Sequence, residues 1–361
     1  MLFDALTFRS GAVMPNRIAL AAMTNLQSLP DGKLGEDELT WLARRADGGF
    51  GLISTCAAYV ARDGKAWDGQ LGIDHDDQLF GLARLAKRIR NTGALASVQL
   101  FHGGVRAASR LTGEQVWSAS TWHETGATFE VPRPATERDL TRVIDQFAAA
   151  AERAQRAGFD GVELHGAHGY LLSQFLSTTM NPREDGWGGG LAGRARLIRE
   201  VMRAVRARTG PRFTIGVRLS LEDFGSARGM DLDDNLAVAA WLAEDGADYV
   251  HASLWDGAAM SVKRPTEHPV PLLRAVLPAT VAVFAAGAVW TGADARALLE
   301  RGASAVAIGR AAILHPDWAR QAREPGWAPA RPPITRAELL DRGVSPVFAQ
   351  YLTRWRGFVA T

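Results

Sequence analysis

His165, His168 and Tyr170 fall in one short stretch, His165-Gly-Ala-His168-Gly-Tyr170, that closes an apolar run. Two imidazoles and a phenol this close suit three kinds of chemistry. They can hold zinc, provided His102 or Glu163 supplies a third ligand at tetrahedral distance. They can be satisfied structural groups. Or they act as electrophiles, two N–H donors polarising a substrate oxygen while the phenol supplies a proton. Other apolar runs also end in polar groups: Gln99-Leu-Phe-His102, the run carrying Arg218, and the runs entering Gly287 and Gly309-Arg310. Such groups lose solvation at the end of an apolar strand unless a ligand or partner satisfies them. Gly287 and Gly309 let a phosphate approach backbone N–H groups, with the Arg310 fork to hold its charge. The plainer alternative is that both glycines only turn the chain.

Short β-branched and apolar runs recur, separated by stretches of helical period. Strands are predicted at Arg17–Met23, Gly51–Ala57, Leu95–Phe101, Gly161–His165, Thr214–Leu219, Tyr249–Ser253, Val281–Ala285 and Ala305–Ile308. Helices are predicted at Gly35–Arg45, Gln78–Arg90, Arg138–Ala157, Arg194–Arg208, Leu232–Glu244 and Ala293–Glu300. Gly93, Gly158, Gly246 and Gly302 fit the left-handed position after a helix. The strands read as apolar throughout, as parallel strands covered on both faces do. This alternation predicts an α/β chain forming a single (β/α)8 TIM barrel. The long connections, His102–Thr136, Gly166–Gly193 and Ser220–Met230, all leave strands, which is where barrel enzymes build their sites. Residues 1–361 therefore read as one domain. Its tail, 325–361, carries Trp355, Phe358 and basic neighbours that point to docking on the barrel or on a neighbouring subunit of a homo-oligomer.

Composition narrows the partners. The formal charge is +2, from 41 Lys and Arg against 39 Asp and Glu, which builds no field for nucleic acid. Cys56 is the one cysteine of the 361 residues, so intramolecular disulfides and cysteine-ligated zinc or iron–sulfur sites are excluded. No apolar run is long enough to span a bilayer and the first residues do not read as a signal peptide, so a cytoplasmic protein is expected. The Gly186–Gly190 cluster follows a turn with the wrong spacing for a dinucleotide fingerprint, and no P-loop occurs.

Taken in order, these residues resemble the Old Yellow Enzyme family of FMN-dependent ene-reductases, from about Leu6 to Trp318. The resemblance rests on Asn16-Arg17-Ile18 leading to Ala22-Met23-Thr24, on Gln99 with His102-Gly-Gly, and on Gly158-Phe-Asp through Tyr170. Asn181-Pro-Arg183 with its glycines and Arg194, Gly216-Val-Arg218 and Gly309-Arg310 complete it. It implies FMN at the barrel mouth, reduced by NADPH or NADH. Gln99 would bond the flavin pyrimidine edge, Arg218 would sit near N1, and Thr24 would donate at the O4 side with the Ala57 backbone beside it. Ser253, Gly287, Gly309 and Arg310 would serve the ribityl chain and phosphate; Ala22, Met23, Ala288 and His165 also belong to the cofactor shell. His165 and His168 would grip the carbonyl or nitro oxygen of an activated alkene, and Tyr170 would protonate Cα.

The chain departs from relatives with Pro at the position of Ala22, Cys at that of Thr24 and Tyr at that of Leu26. Trp255 and the His102–Thr136 loop have no aligned counterpart and leave substrate range open. Other readings are amine oxidation or nitro reduction on the same barrel, a non-catalytic flavin or steroid binder, and a zinc hydrolase. Gln99, Arg218 and Arg310 would be idle in a zinc site.

Overall fold

The computed structural model describes residues 1–124 and 129–360. Four residues of the His102–Thr136 loop, 125–128, and Thr361 of the tail lie outside the described residues. Eight parallel strands close a barrel: β1 Ile18–Leu20, β2 Leu52–Tyr59, β3 Leu95–Phe101, β4 Gly161–Gly166, β5 Thr214–Leu219, β6 Tyr249–Ser253, β7 Ala282–Ala286 and β8 Ala305–Ile308. Each pairs with its neighbours in the chain, and β8 pairs with β1 to complete the ring. A helix follows every strand: α1 Glu36–Asp47, α2 Leu79–Arg90, α3 Glu137–Arg156, α4 Arg196–Thr209, α5 Leu232–Asp245, α6 Pro269–Val276, α7 Gly292–Glu300 and α8 Arg310–Leu314.

The local reasons are visible in α3. Thr136 and Asp139 bond each other's backbone N–H in a capping box at its start. Leu140, Val143, Phe147, Ala150, Ala151 and Ala154 then recur at helical spacing and are buried. Gly93, Gly158, Gly246 and Gly302 all have positive φ, as their place after a helix requires. The first strand is shorter than its sequence suggests, so Ala22, Met23 and Thr24 belong to the loop above it.

The apolar reading of the strands needs correction. Side chains alternate across a strand, and the inward positions of several strands are polar. Ser97 and Gln99 on β3, Glu163 and His165 on β4, Arg218 on β5, and His251 and Ser253 on β6 are all buried. Register stacks them in layers, with Gln99 opposite Glu163, His165 opposite Arg218 and Arg218 opposite His251. Below them Tyr249 stacks on Phe284 at 4.5 Å, and the N-terminal ribbon (Leu6–Thr7 with Val13–Met14) brings Phe8 and Met14 under the barrel. Gly216 is required here, because a Cβ would enter the Tyr249 ring. The barrel is thus apolar at its base and polar toward the carboxyl ends of its strands.

In the tail, short helices at Arg336–Asp341 and Pro346–Leu352 bring Phe348 against Trp41 of α1, ring centres 5.6 Å apart. Residues 354–358 reach the cavity at the barrel mouth. No helix of the described residues is long and apolar enough to cross a membrane.

Candidate active site

A cavity of about 620 Å³ opens at the carboxyl ends of the strands. Ala22, Met23, His168, Arg218, Ser253, Gly287, Ala288, Gly309 and Arg310 line it. Thr24, Ala57, Gln99, His165 and Tyr170 are not on its wall but in the layer around it. Ala57 and Tyr170 pack with Phe101 in a small buried cluster, and Thr24 lies beside the Tyr351 hydroxyl. The predicted cofactor and catalytic residues therefore gather at one end of the barrel.

Electrostatics set the character of this cavity. Among the described residues, four guanidinium groups line it, Arg218, Arg310, Arg354 and Arg356, and no carboxylate does. Arg218 is buried and, among the described residues, donates to Ser253 Oγ at 3.2 Å and the Ala22 carbonyl at 3.4 Å, leaving further N–H groups for a ligand. The small residues Ala22, Ala286, Gly287, Ala288, Ala307 and Gly309 leave room for a flat group to lie close to the backbone. An apolar, shallow-walled cleft with fixed cations suits a planar anionic cofactor, and FMN fits both requirements.

The floor beside the cavity is a hydrogen-bonded hub. Glu163 accepts from Gln99 Nε2 at 2.7 Å and lies 2.9 Å from His251 Nδ1. Burial alone would raise this carboxyl, but the neighbouring His251 and Arg218 and the Gln99 amide outweigh it and hold it at about 2. Glu163 therefore fixes Gln99 and balances the charge of Arg218.

The histidines are neutral. Burial and the Arg218 charge bring His165 down to about 3 and hold His168 well below its ordinary value. His165 Nδ1 accepts the Ala167 N–H at 3.3 Å, so its proton sits on Nε2. Ser253 Oγ accepts from Arg218 Nε and can give its own proton to His168 Nε2, 2.7 Å away, which leaves the His168 proton on Nδ1. The rings stand edge to face with centres 5.0 Å apart, giving two N–H donors side by side. His168 holds φ +61°, a left-handed conformation uncommon for a residue with a side chain, and Ser220 Oγ accepts its N–H at 3.0 Å.

Tyr170 sits in an aromatic cage, with ring centres 4.4 Å from Phe101 and 5.0 Å from His165. Burial pushes its phenol up to about 12, so it carries its proton throughout the neutral range. His102 and Glu163 do not join the pair of histidines. His102 faces Asp63 and Trp117, and Glu163 is committed to Gln99 and His251.

Several site residues escaped the sequence reading. Phe224 packs 5.8 Å from the His168 ring and 6.2 Å from Trp255, which also faces the Arg310 guanidinium. Tyr351, Arg354 and Arg356 come from the tail, and only the aromatic and basic content of 351–358 hinted at them. The turn of Arg106 also reaches the Tyr170 loop.

Comparison with known proteins gives the family and the fold. Residues 1–325 match the pattern of the NADH:flavin oxidoreductase / NADH oxidase family. The chain is 36% identical to the "Probable NADH-dependent flavin oxidoreductase YqiG" of Bacillus subtilis, covering 90% of this chain and 88% of the relative. It is 33% identical to an NADPH dehydrogenase of Halalkalibacterium halodurans, covering 86% and 91%. Among solved structures, morphinone reductase in complex with tetrahydroNAD superposes with a TM-score of 0.83 at 26% identity, covering 96% of each chain.

Proposed function

The chain belongs to the NADH:flavin oxidoreductase / NADH oxidase family, and from that premise we propose that it is an ene-reductase, reducing the C=C bond of enones, enals and nitroalkenes. It is an NAD(P)H-dependent flavin oxidoreductase of Old Yellow Enzyme type, with FMN as its cofactor. The observation that carries the finer reading is the His165–His168–Tyr170 arrangement, two neutral N–H donors and a protonated phenol at the edge of a basic cleft.

When bound, FMN would supply the hydride chemistry that links NAD(P)H to the alkene. The chain does the rest. Arg310 with the Gly287 and Gly309 backbone would hold the cofactor phosphate, and Ser253, Ala288, Ala22 and Met23 would border the ribityl chain and ring system. Gln99, fixed by Glu163, would bond the pyrimidine edge, Arg218 would present its charge near N1, and Thr24 and the Ala57 backbone would serve the O4 side. His165 and His168 donate to the substrate oxygen, which gains negative charge as the hydride arrives at Cβ. Tyr170 gives its proton to Cα. NAD(P)H and the alkene would use one face in turn, and the NAD(P)H requirement supports a cytoplasmic location. Residues 1–361 then act as one domain whose tail, from 325, forms part of the cavity wall in the same chain.

The test is an anaerobic absorbance series on the purified protein. Flavin bands should bleach with NADPH or NADH and return when cyclohexenone is added. Bands that bleach but return only with an amine-derived or nitroaromatic acceptor would overturn the ene-reductase reading while leaving the family assignment intact.

A further inference from the structure

The long connection after β3 sends one side chain back into the catalytic turn. Arg106 Nη1 donates to the His168 carbonyl at 2.9 Å and to the Gly169 carbonyl. Its Nη2 donates to the Ser226 carbonyl at 3.2 Å and to the Glu124 carboxylate at 3.0 Å. The guanidinium carbon stands 5.6 Å from the centre of the Tyr170 ring, on its face. Arg106 is buried, and a Cβ at Gly169 would collide with both its Nη1 and the Ser226 carbonyl, so residue 169 is a glycine where the fork comes close.

Enone reduction needs more of Tyr170 than nitroalkene reduction does. As hydride adds to Cβ, the alkene π pair takes the Tyr170 proton at Cα, and the phenolate left behind recovers its proton from water. A nitroalkene instead leaves as a nitronate and takes its proton from solvent. Whatever stabilises negative charge on the Tyr170 ring therefore accelerates the first reaction and not the second. Among the described residues, the titratable and charged groups facing Tyr170 are His165 from the end of β4, Arg106 from the connection after β3, and Tyr351 from the tail, with the apolar rings of Phe101 and Trp67 beside them. His165 is neutral, so Arg106 is the cation in this set.

We propose that Arg106 is a positioning residue for proton transfer, its fork fixing the His168–Tyr170 turn and its charge lying over the Tyr170 ring to favour release of the phenolic proton. Glu124, paired to the same guanidinium, moderates that charge. This gives the connection after β3 a task in selecting alkenes that require protonation. The inference rests on Tyr170 being the proton donor.

The experiment is stopped-flow reoxidation of the reduced holoenzyme by cyclohexenone and by a nitroalkene, with p-chlorophenol titrated into the oxidised holoenzyme as a binding readout. A cation about 6 Å from a phenolate in a protein interior is worth about two pH units of acidity, and half of that reaching the transition state is about tenfold in rate. Arg106→Met should therefore slow enone reoxidation about tenfold more than nitroalkene reoxidation. Phenol affinity should stay within about threefold, because the Ser220 and Ser253 bonds still hold His168. Arg106→Lys, which keeps the charge, should recover most of the enone rate. Equal loss with both substrates, or loss of phenol binding with them, would reduce Arg106 to a structural role and overturn the proposal. Should Arg106→Met fail to fold, Glu124→Gln decides. Freed of its counter-charge, Arg106 should raise the enone-to-nitroalkene ratio about two- to fivefold, and an unchanged or lower ratio refutes the idea. Full enone activity in Tyr170→Phe would instead overturn the proton-donor reading itself.

Discussion

Replacing Glu163 with Gln tests the hub that holds Gln99 and Arg218. Glu163 is 2% exposed, and its two oxygens engage Gln99 and His251 beside the Arg218 charge. Its carboxyl stands at about 2 in the folded chain, against roughly 4.3 in an unfolded one. That difference of about two units corresponds to about 3 kcal/mol of stability, with little solvent screening to discount at so buried a site. The folded value lies below the unfolded one, so this stability is complete above about pH 4.5 and is lost as the pH falls toward 2. Gln cannot titrate, and it leaves Arg218 a buried cation without its counter-charge, a change of about 3–5 kcal/mol in comparable cases. At pH 7 Glu163→Gln should lower the melting temperature by about 6 °C, using about 2 °C per kcal/mol for a long chain. The gap from wild type should then narrow by about half as the pH is lowered from 5 to 3, because the unfolded chain takes up the Glu163 proton there while the folded carboxyl still keeps its charge. Asp63 and Asp139 also titrate in acid, held low despite burial by His102 and by Arg133 respectively, but they do so in both proteins and cancel from the difference. Paired urea or thermal denaturation at pH 7, 5, 4 and 3 provides the measurement. A gap as wide at pH 3 as at pH 7 would show that Glu163 is not held ionised by its neighbours.

Tyr170→Phe should leave FMN content, phenol affinity and flavin reduction nearly unchanged while slowing enone reoxidation by about 10²–10⁴-fold, and nitroalkenes far less, as stopped-flow traces would show. Arg310→Ala should weaken FMN retention by about 1–3 kcal/mol, read as the FMN released on dilution. FAD rather than FMN in the heat-released cofactor would contradict the phosphate assignment. Arg218→Met, removing the charge offered near N1, should lower the two-electron potential of bound FMN by about 30–60 mV. A dye-linked titration giving the wild-type potential would sink that assignment.

The eight strands were legible because their apolar runs are bounded by signals with a local cause. Gly93, Gly158, Gly246 and Gly302 stand where a helix needs a left-handed residue before the next strand, and all have positive φ. The missed helix Pro269–Val276 obeys equally local rules. His268 caps it through Val270 N–H and proline occupies its first turn, but a short run with two prolines does not advertise helical period. The polar interior was harder to see. Glu163 and His251 each sit between apolar neighbours that face the helices, and a single polar residue within such a run looks like an exception until pairing shows both pointing inward. Gln99 was legible as a strand-end residue, but its partner was not. That choice depends on which strand lies beside β3 and in what register, which no stretch of sequence states by itself. Arg106 and Tyr351 lie further still from local inference. The Arg106 bonds join segments 62, 63 and 120 residues apart, and Tyr351 meets Thr24 across almost the whole chain. The resemblance could carry only residues that sit in shared motifs at the strand ends. The parts that differ, the loop after β3 and the tail, are those that reach the His165–Tyr170 turn and the cavity beside it. Substrate choice should therefore vary most where the sequence was least readable, and Arg106 is the first position at which to look.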